Sequence, residues 1–244
     1  MKILLPPSET KRPGGTERPL ELARLALPGL TAQREAVLHA LVELSADPVA
    51  AQRVLGLSDR QVGDIAHNRT LRTGPTMAAV DRYTGVLYEA LGAGSLDRAA
   101  RAWLGRNVLI HSAPFGPVGA LDRIPQYRLA AGTSIPGVPP LRGHWADAVS
   151  DALGDQGFML DLRSEAYVAL GPIPASVPSA YVRVVTEAGR ALNHFNKKAK
   201  GELVRALALA RPRIGSSGAL LHWAQSRGVR LRDAGGELEL VVDG

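Results

Sequence analysis

Four stretches of this 244-residue chain gather polar and charged side chains that an apolar core does not account for. Ser8, Glu9 and Lys11 follow the first apolar run. Tyr127 and Arg128 lie, with Asp122, in a stretch rich in Gly and Pro. Asp161, Arg163, Ser164 and Tyr167 straddle the end of another apolar run, and Lys197, Lys198 and Lys200 crowd within two helical turns. Two chemistries suit such a set. Ser8, Lys11, Tyr127, Arg128, Lys197, Lys198 and Lys200 are candidate contacts for an anion or an anionic substrate, with Lys197 and Lys200 sharing a face so as to clamp one phosphate. Asp161 or Glu9 as acid or base, beside the hydroxyls of Ser164 and Tyr167, forms a candidate catalytic group. Plainer roles compete: Ser164 as the N-cap of a short helix, and the Lys run as a solvated helix face.

Only five of the 29 basic residues are Lys. Where arginine has been used for nearly every cation, a surviving lysine marks a place for a compact ammonium of tunable pKa, or chance on a helix surface. The formal charge of +6 and pI near 10.0 favour anionic partners such as nucleic acid or phosphorylated small molecules. The absence of Cys excludes disulfides, thiol nucleophiles and thiolate-bound metals. The six His are scattered, and His144 with Asp147 is the one metal-like pair, so no metal or other cofactor is expected. No Walker A loop, dinucleotide fingerprint or nucleophile elbow occurs. A third function, direct iron sequestration, fits poorly because carboxylates and histidines lack paired spacing.

The segment Leu55 to Ile65, LGLSDRQVGDI, partly matches a helix-hairpin-helix, in which backbone N–H groups at a helix start meet a DNA phosphate. Gly56 stands at the first hairpin glycine and Ser58 replaces the second. Arg53, Arg60 and Arg69 are candidate phosphate contacts on the flanking helices. An ordinary capped helix junction accounts for the same pattern.

Positioning these groups requires a framework. Lys2 to Leu5 reads as a buried strand, Thr31 to Leu104 as a helical insertion with breaks near Gly56, Gly74-Pro75 and Gly92 to Ser95, and Thr76 to Leu91 as one helix within it. Asn107 to His111, Phe158 to Leu162 and Tyr181 to Val185 read as strands, Leu141 to Leu153 and Ala191 to Ala210 as helices, and Gly228 to Val242 as a hairpin. Ala113 to Pro140 reads as a long ordered loop. The fold class predicted is mixed α/β (α+β): a central sheet in one domain spanning 1–244, with a helical insertion at about 31–104. No run approaches about 18 apolar residues and the first apolar run ends quickly in Pro and charge, so a soluble, cytoplasmic protein without a membrane partner is expected.

In order along the chain, six motifs resemble the YaaA family of bacterial peroxide-stress proteins. They are LLPPSETK (Leu4 to Lys11) followed by Gly14-Gly15; Tyr83-Thr84-Gly85-Val86; Leu121-Asp122 with Tyr127-Arg128-Leu129 and Gly132; His144-Trp145-Ala146-Asp147; Leu162 with Ser164 and Tyr167; and Lys197-Lys198-Ala199-Lys200-Gly201. The chain departs from the family pattern at Ala130, Pro125-Gln126, Ala166 and Ala169. The resemblance implies a single mixed α/β unit, a cytoplasmic role in limiting oxidative damage tied to control of free intracellular iron, and duplex DNA binding through a basic cleft and a helix-hairpin-helix. The alternative is an enzyme acting on a small anionic or nucleotide-like substrate in a Lys/Arg/Asp/Ser/Tyr pocket.

Overall fold

The structure, a computed structural model, describes residues 1–189 and 195–243. Its strands are β1 (Lys2–Leu5), β2 (Met77–Ala78), β3 (Val108–Ser112), β4 (Gly116–Gly119), β5 (Arg123–Ile124), β6 (Met159–Asp161), β7 (Ser179–Thr186), β8 (Leu231–Asp233) and β9 (Glu237–Val242). Its α-helices are α1 (Thr31–Leu44), α2 (Pro48–Leu55), α3 (Ile65–Arg69), α4 (Ala79–Arg82), α5 (Val86–Leu91), α6 (Arg98–Asn107), α7 (Leu141–Leu153), α8 (Glu165–Val168), α9 (Phe195–Ala210) and α10 (Ser217–Ser226).

Seven strands form the main sheet in the order β4-β3-β1-β6-β7-β9-β8. The inner five run parallel, and β4 and β8 are antiparallel edges. The fold is therefore mixed α/β, as expected. β1 and β3 are buried through their apolar lengths because helices cover both faces, which is why they read as continuous apolar runs; β9 alternates. From β1 the chain crosses to β3 on one side and then returns to β6 on the other. That reversal falls at the carboxyl ends of β1 and β6, the kind of place where open α/β sheets put ligands.

Two expectations about elements are corrected. Ala113 to Pro140 is no featureless loop: Gly116–Gly119 pairs with β3, and Arg123–Ile124 pairs with β2 inside the helical insertion. Pairing partners override the weak strand propensity of Gly and Pro. The helix expected over Thr76 to Leu91 is broken into α4 and α5 by Tyr83-Thr84-Gly85, where Gly85 takes φ 97°. The long last helix is seen from Phe195, and its expected start at Ala191, with His194, lies outside the described residues. Leu141–Leu153 and the closing hairpin, β8 against β9, are found as expected.

Arginine is also not confined to the surface. Arg34, Arg82 and Arg163 are fully buried. Arg34 donates to the carbonyls of Ala26, Phe115 and Pro117, and Arg82 to those of Arg12, Pro75 and Ile124. Loops that lack a regular ladder leave carbonyls that need donors, and the five-donor guanidinium supplies several at once.

Candidate functional site

The loop leaving β1 is fixed by the turn between α4 and α5. Lys11 bridges to Tyr83, the Thr84 N–H donates to the Thr10 carbonyl (3.1 Å), and the Thr84 hydroxyl donates to Thr10 Oγ1 (2.9 Å). A Cβ on Gly85 would lie 3.0 Å from Ser8 Oγ, so glycine lets the two segments touch as well as supplying the positive φ. Tyr88, on α5, donates to the Pro6 carbonyl at 2.7 Å. The motifs around Ser8 and Tyr83 are thus two halves of one clamp.

Inside that clamp Lys11 Nζ donates to the carbonyls of Ser8 and Glu9, each at 3.1 Å, and lies 4.0 Å from the ring centre of Tyr127 and 5.8 Å from that of Tyr83. The two phenol oxygens are 2.8 Å apart. Burial lowers the Lys11 pKa to about 7, the nearby Arg128 and Arg82 push it further down, and Asp64 and Glu9 oppose. Burial likewise pushes the hydroxyls of Tyr83, Tyr88, Tyr127 and Tyr167 up, so they stay protonated donors.

The loop leaving β6 builds the other wall. Arg163 chelates Asp161 through Nε (2.9 Å) and Nη2 (2.6 Å), and its Nη1 donates to the Gly171 carbonyl (2.8 Å) and to His111 Nδ1 (2.9 Å). A guanidinium donor on Nδ1 places the proton of neutral His111 on Nε2, which is buried with no hydrogen-bond partner among the described residues. Burial and Arg163 both drive the His111 pKa well down. Across the sheet, Asp161 is in register with Tyr181, whose hydroxyl donates to the Arg163 carbonyl at 3.1 Å. Lys200 Nζ lies 5.5 Å from the Tyr181 ring centre. Burial brings its pKa to about 8, with Asp161 opposing.

All five tyrosines of the chain therefore stand at this edge of the sheet, with two of its five lysines. Sequence reasoning met Tyr83 only within a family motif and missed Tyr88, Tyr181 and His111, because a ring at helix or strand spacing reads as core; it also missed the buried role of Arg163. The scarcity of tyrosine was the available signal.

The expected residues divide. Ser8, Glu9, Tyr127 and Arg128 gather around the Lys11 ammonium, Asp161 and Lys200 sit together at the other end, and Tyr167 lies close enough to Glu9 for that carboxylate to raise its pKa. Ser164 is the N-cap residue of α8, exposed and without a side-chain capping bond. Lys197 and Lys198 face solvent, and Lys198 pairs with Glu202 at 3.7 Å, so the expected clamp of Lys197 with Lys200 does not form. The helix is rotated so that Lys200 follows the buried face of Leu203, Val204 and Leu207. Gly201 makes this possible, since a Cβ there would fall 2.2 Å from the Leu87 carbonyl oxygen of α5.

Asp122 is not part of this site: its carboxylate accepts from the N–H groups of Ala26 (2.6 Å) and Gly119 (2.8 Å). His144 Nε2 lies 3.0 Å from the Gln33 carbonyl, and among the described residues no group of three His, Asp or Glu is placed to hold a metal.

The hairpin-like segment lies beside Lys11 and Arg128. α2 ends at Gly56 (φ 63°), and Gln61 Oε1 accepts from Ser58 N (3.1 Å) and Ser58 Oγ (2.9 Å). A short 3-10 turn, Asp59–Asp64, then leads into α3 in place of a full second α-helix. Ala51, Leu57 and Ile65 give the segment a small core of its own. Arg53, Gly56, Ser58, Arg60 and Arg69 are exposed. On α3, buried Asn68 binds both the N–H (2.8 Å) and the carbonyl (2.9 Å) of Arg128.

A family profile described as "Peroxide stress protein YaaA" matches residues 1–227. The chain belongs to the YaaA peroxide stress protein family. Its relatives include a UPF0246 protein of Streptomyces coelicolor, 46% identical over 215 residues (85% of this chain, 82% of the relative). A UPF0246 protein of Corynebacterium efficiens is 42% identical over 248 residues, 99% of each chain. A third, from Corynebacterium glutamicum, is 40% identical over 235 residues, 94% of each. The family name ties the chain to a stress-related role. Among the described residues no helix is long and apolar enough to cross a membrane.

Proposed function

We propose that this YaaA family member protects a cytoplasm under peroxide stress by binding duplex DNA along the carboxyl edge of its sheet. Phosphates are held by the exposed Arg53, Arg60 and Arg69 of the hairpin-like segment, and by Arg128 beside Lys11. The observation that carries this reading is the reciprocal pair of hydrogen bonds between Asn68 and the Arg128 backbone, Asn68 Nδ2 donating to the carbonyl and the Arg128 N–H donating to Asn68 Oδ1, which fastens the hairpin-like segment beside Lys11. The cations of both then address one ligand. In this reading the link to free iron runs through DNA: duplex occupied by protein is shielded from iron-driven oxidation.

Fluorescence anisotropy of a labelled duplex at rising salt tests this. Affinity falls steeply with salt, because bound phosphates release counterions, and falls further when Arg53, Arg60 and Arg69 become Gln. Undetectable binding at low salt, or binding indifferent to these arginines, rejects it.

A second reading, an enzyme on a small anionic or nucleotide-like substrate, draws on one observation: a half-buried amine of pKa about 7 stands among phenols, beyond the strand ends where the chain reverses direction. Competition of mononucleotides with the duplex at millimolar concentration or below favours it.

A further inference from the structure

We propose that Lys11 is a nucleophile toward aldehydes, and that the aldehyde it takes is the ring-opened deoxyribose of an abasic site in duplex DNA. The inference rests on the DNA-binding reading above and gives Lys11 a substrate class.

The placement of the amine is the first support. Lys11 is half-buried as a residue, and its Nζ is anchored by the Ser8 and Glu9 carbonyls at 3.1 Å each, the second of these bonds lying at the surface. As a neutral amine it keeps two N–H groups for those two carbonyls and directs its lone pair elsewhere. The Tyr127 face at 4.0 Å gives the amine an apolar flank. Burial against that flank, with Arg128 and Arg82 nearby, holds a substantial neutral fraction at physiological pH. Asp64 and Glu9 are close enough to act on its charge, and they are the carboxylates available to pass protons. No other lysine offers this combination. Lys200 is 4% exposed, Lys197 and Lys198 stand in solvent, and Lys2 donates to the Arg106 carbonyl away from the carboxyl edge of the sheet.

The substrate class follows from charge and position. A carbonyl arriving on a polyanion is guided by Arg128 and the arginines of the hairpin-like segment, and the surface beside α3 is where a duplex lies in the DNA-binding reading. Oxidation of DNA leaves sites that have lost their base, and their sugars open to free aldehydes.

The step balances without an oxidant or reductant. The Nζ lone pair adds to C1′, a proton moves from nitrogen to the carbonyl oxygen to give a carbinolamine, and that oxygen takes up a second proton and leaves as water while the nitrogen gives up its remaining proton and the C=N bond forms. Hydrolysis reverses both steps and returns the amine.

The test incubates the full chain with a duplex carrying one abasic site in the presence of sodium cyanoborohydride, which reduces an imine to a stable secondary amine. The expected result is a covalent protein–DNA species on a denaturing gel, mapped by mass spectrometry to Lys11. It falls at least about tenfold in Lys11→Arg at saturating duplex, since a guanidinium forms no such imine. Salt-sensitive duplex binding without an adduct, or an adduct mapped to Lys197 or Lys198, overturns the nucleophile and leaves DNA binding standing. Absence of duplex binding overturns both. Mapping in the unaltered protein decides the matter even if the variant fails to fold.

Discussion

Replacing Lys11 by Met removes a base whose pKa has fallen from its ordinary value to about 7, and the consequence for stability can be worked through. Between that value and the unfolded pKa near 10.4 the unfolded chain binds more protons at this position than the folded chain. Stability therefore rises with pH across that window. Below about pH 7 the folded protein bears the whole cost of a charged, half-desolvated amine, and as pH rises the amine turns neutral and the cost is released. Raising pH from about 6.5 to 9 stabilises the protein by roughly 2–3 kcal/mol through this one group. The Met variant lacks it, while Lys200 and the tyrosines titrate alike in both proteins and cancel in the difference. Urea unfolding of both proteins at about pH 6.5, 7.5 and 9 reads this directly. The unaltered protein gains on the variant by about 2–3 kcal/mol over that range, most of it above pH 7. A constant difference would refute the placement of Lys11 and its weakened basicity.

Three further outcomes follow from the geometry. Arg163→Leu leaves Asp161 buried without its chelating partner and costs about 3–5 kcal/mol by chemical denaturation, whereas a neutral effect would mean that Asp161 reaches water. Gly201→Ala drives a methyl into the Leu87 carbonyl; it costs at least about 2 kcal/mol, seen as a melting temperature lower by about 4–8 °C, and an unchanged value would place α9 farther from α5. Each of Arg60→Gln and Arg69→Gln lowers the slope of log affinity against log salt by about 0.9 if that arginine neutralises one phosphate. An unaltered slope removes it from the interface.

The strands and helices with clean periodicity were legible in the sequence, Leu141–Leu153 to both ends and the closing hairpin through its Asp233-Ala234-Gly235-Gly236 turn. β4 was not, because Gly-Pro-Val-Gly carries no strand propensity and is held extended only by β3. Nor was the break at Tyr83-Thr84-Gly85, since apolar spacing continues across it and only the use of glycine marks the turn. At the site, Ser8, Lys11, Tyr127, Arg128 and Asp161 stood out as polar residues beside apolar runs. Lys197 and Lys198 stood out equally, because a charge run does not say which of its members faces inward. That is decided by the register of Lys200 with Leu203, Val204 and Leu207, a spacing that can be read once the helix is known to be buried on that side. Arg34, Arg82 and Arg163 were hidden because nothing local separates an arginine that binds loop carbonyls from one in solvent.

The central claim is that DNA lies across the carboxyl edge of the sheet, from the hairpin-like segment to Lys11. Hydrogen exchange with and without a saturating duplex tests it most directly. Slowed exchange is predicted in residues 8–11, 56–69 and 127–129. Protection confined to the opposite side of the molecule, around α10 and the β8–β9 hairpin, with those three segments unchanged, would contradict it.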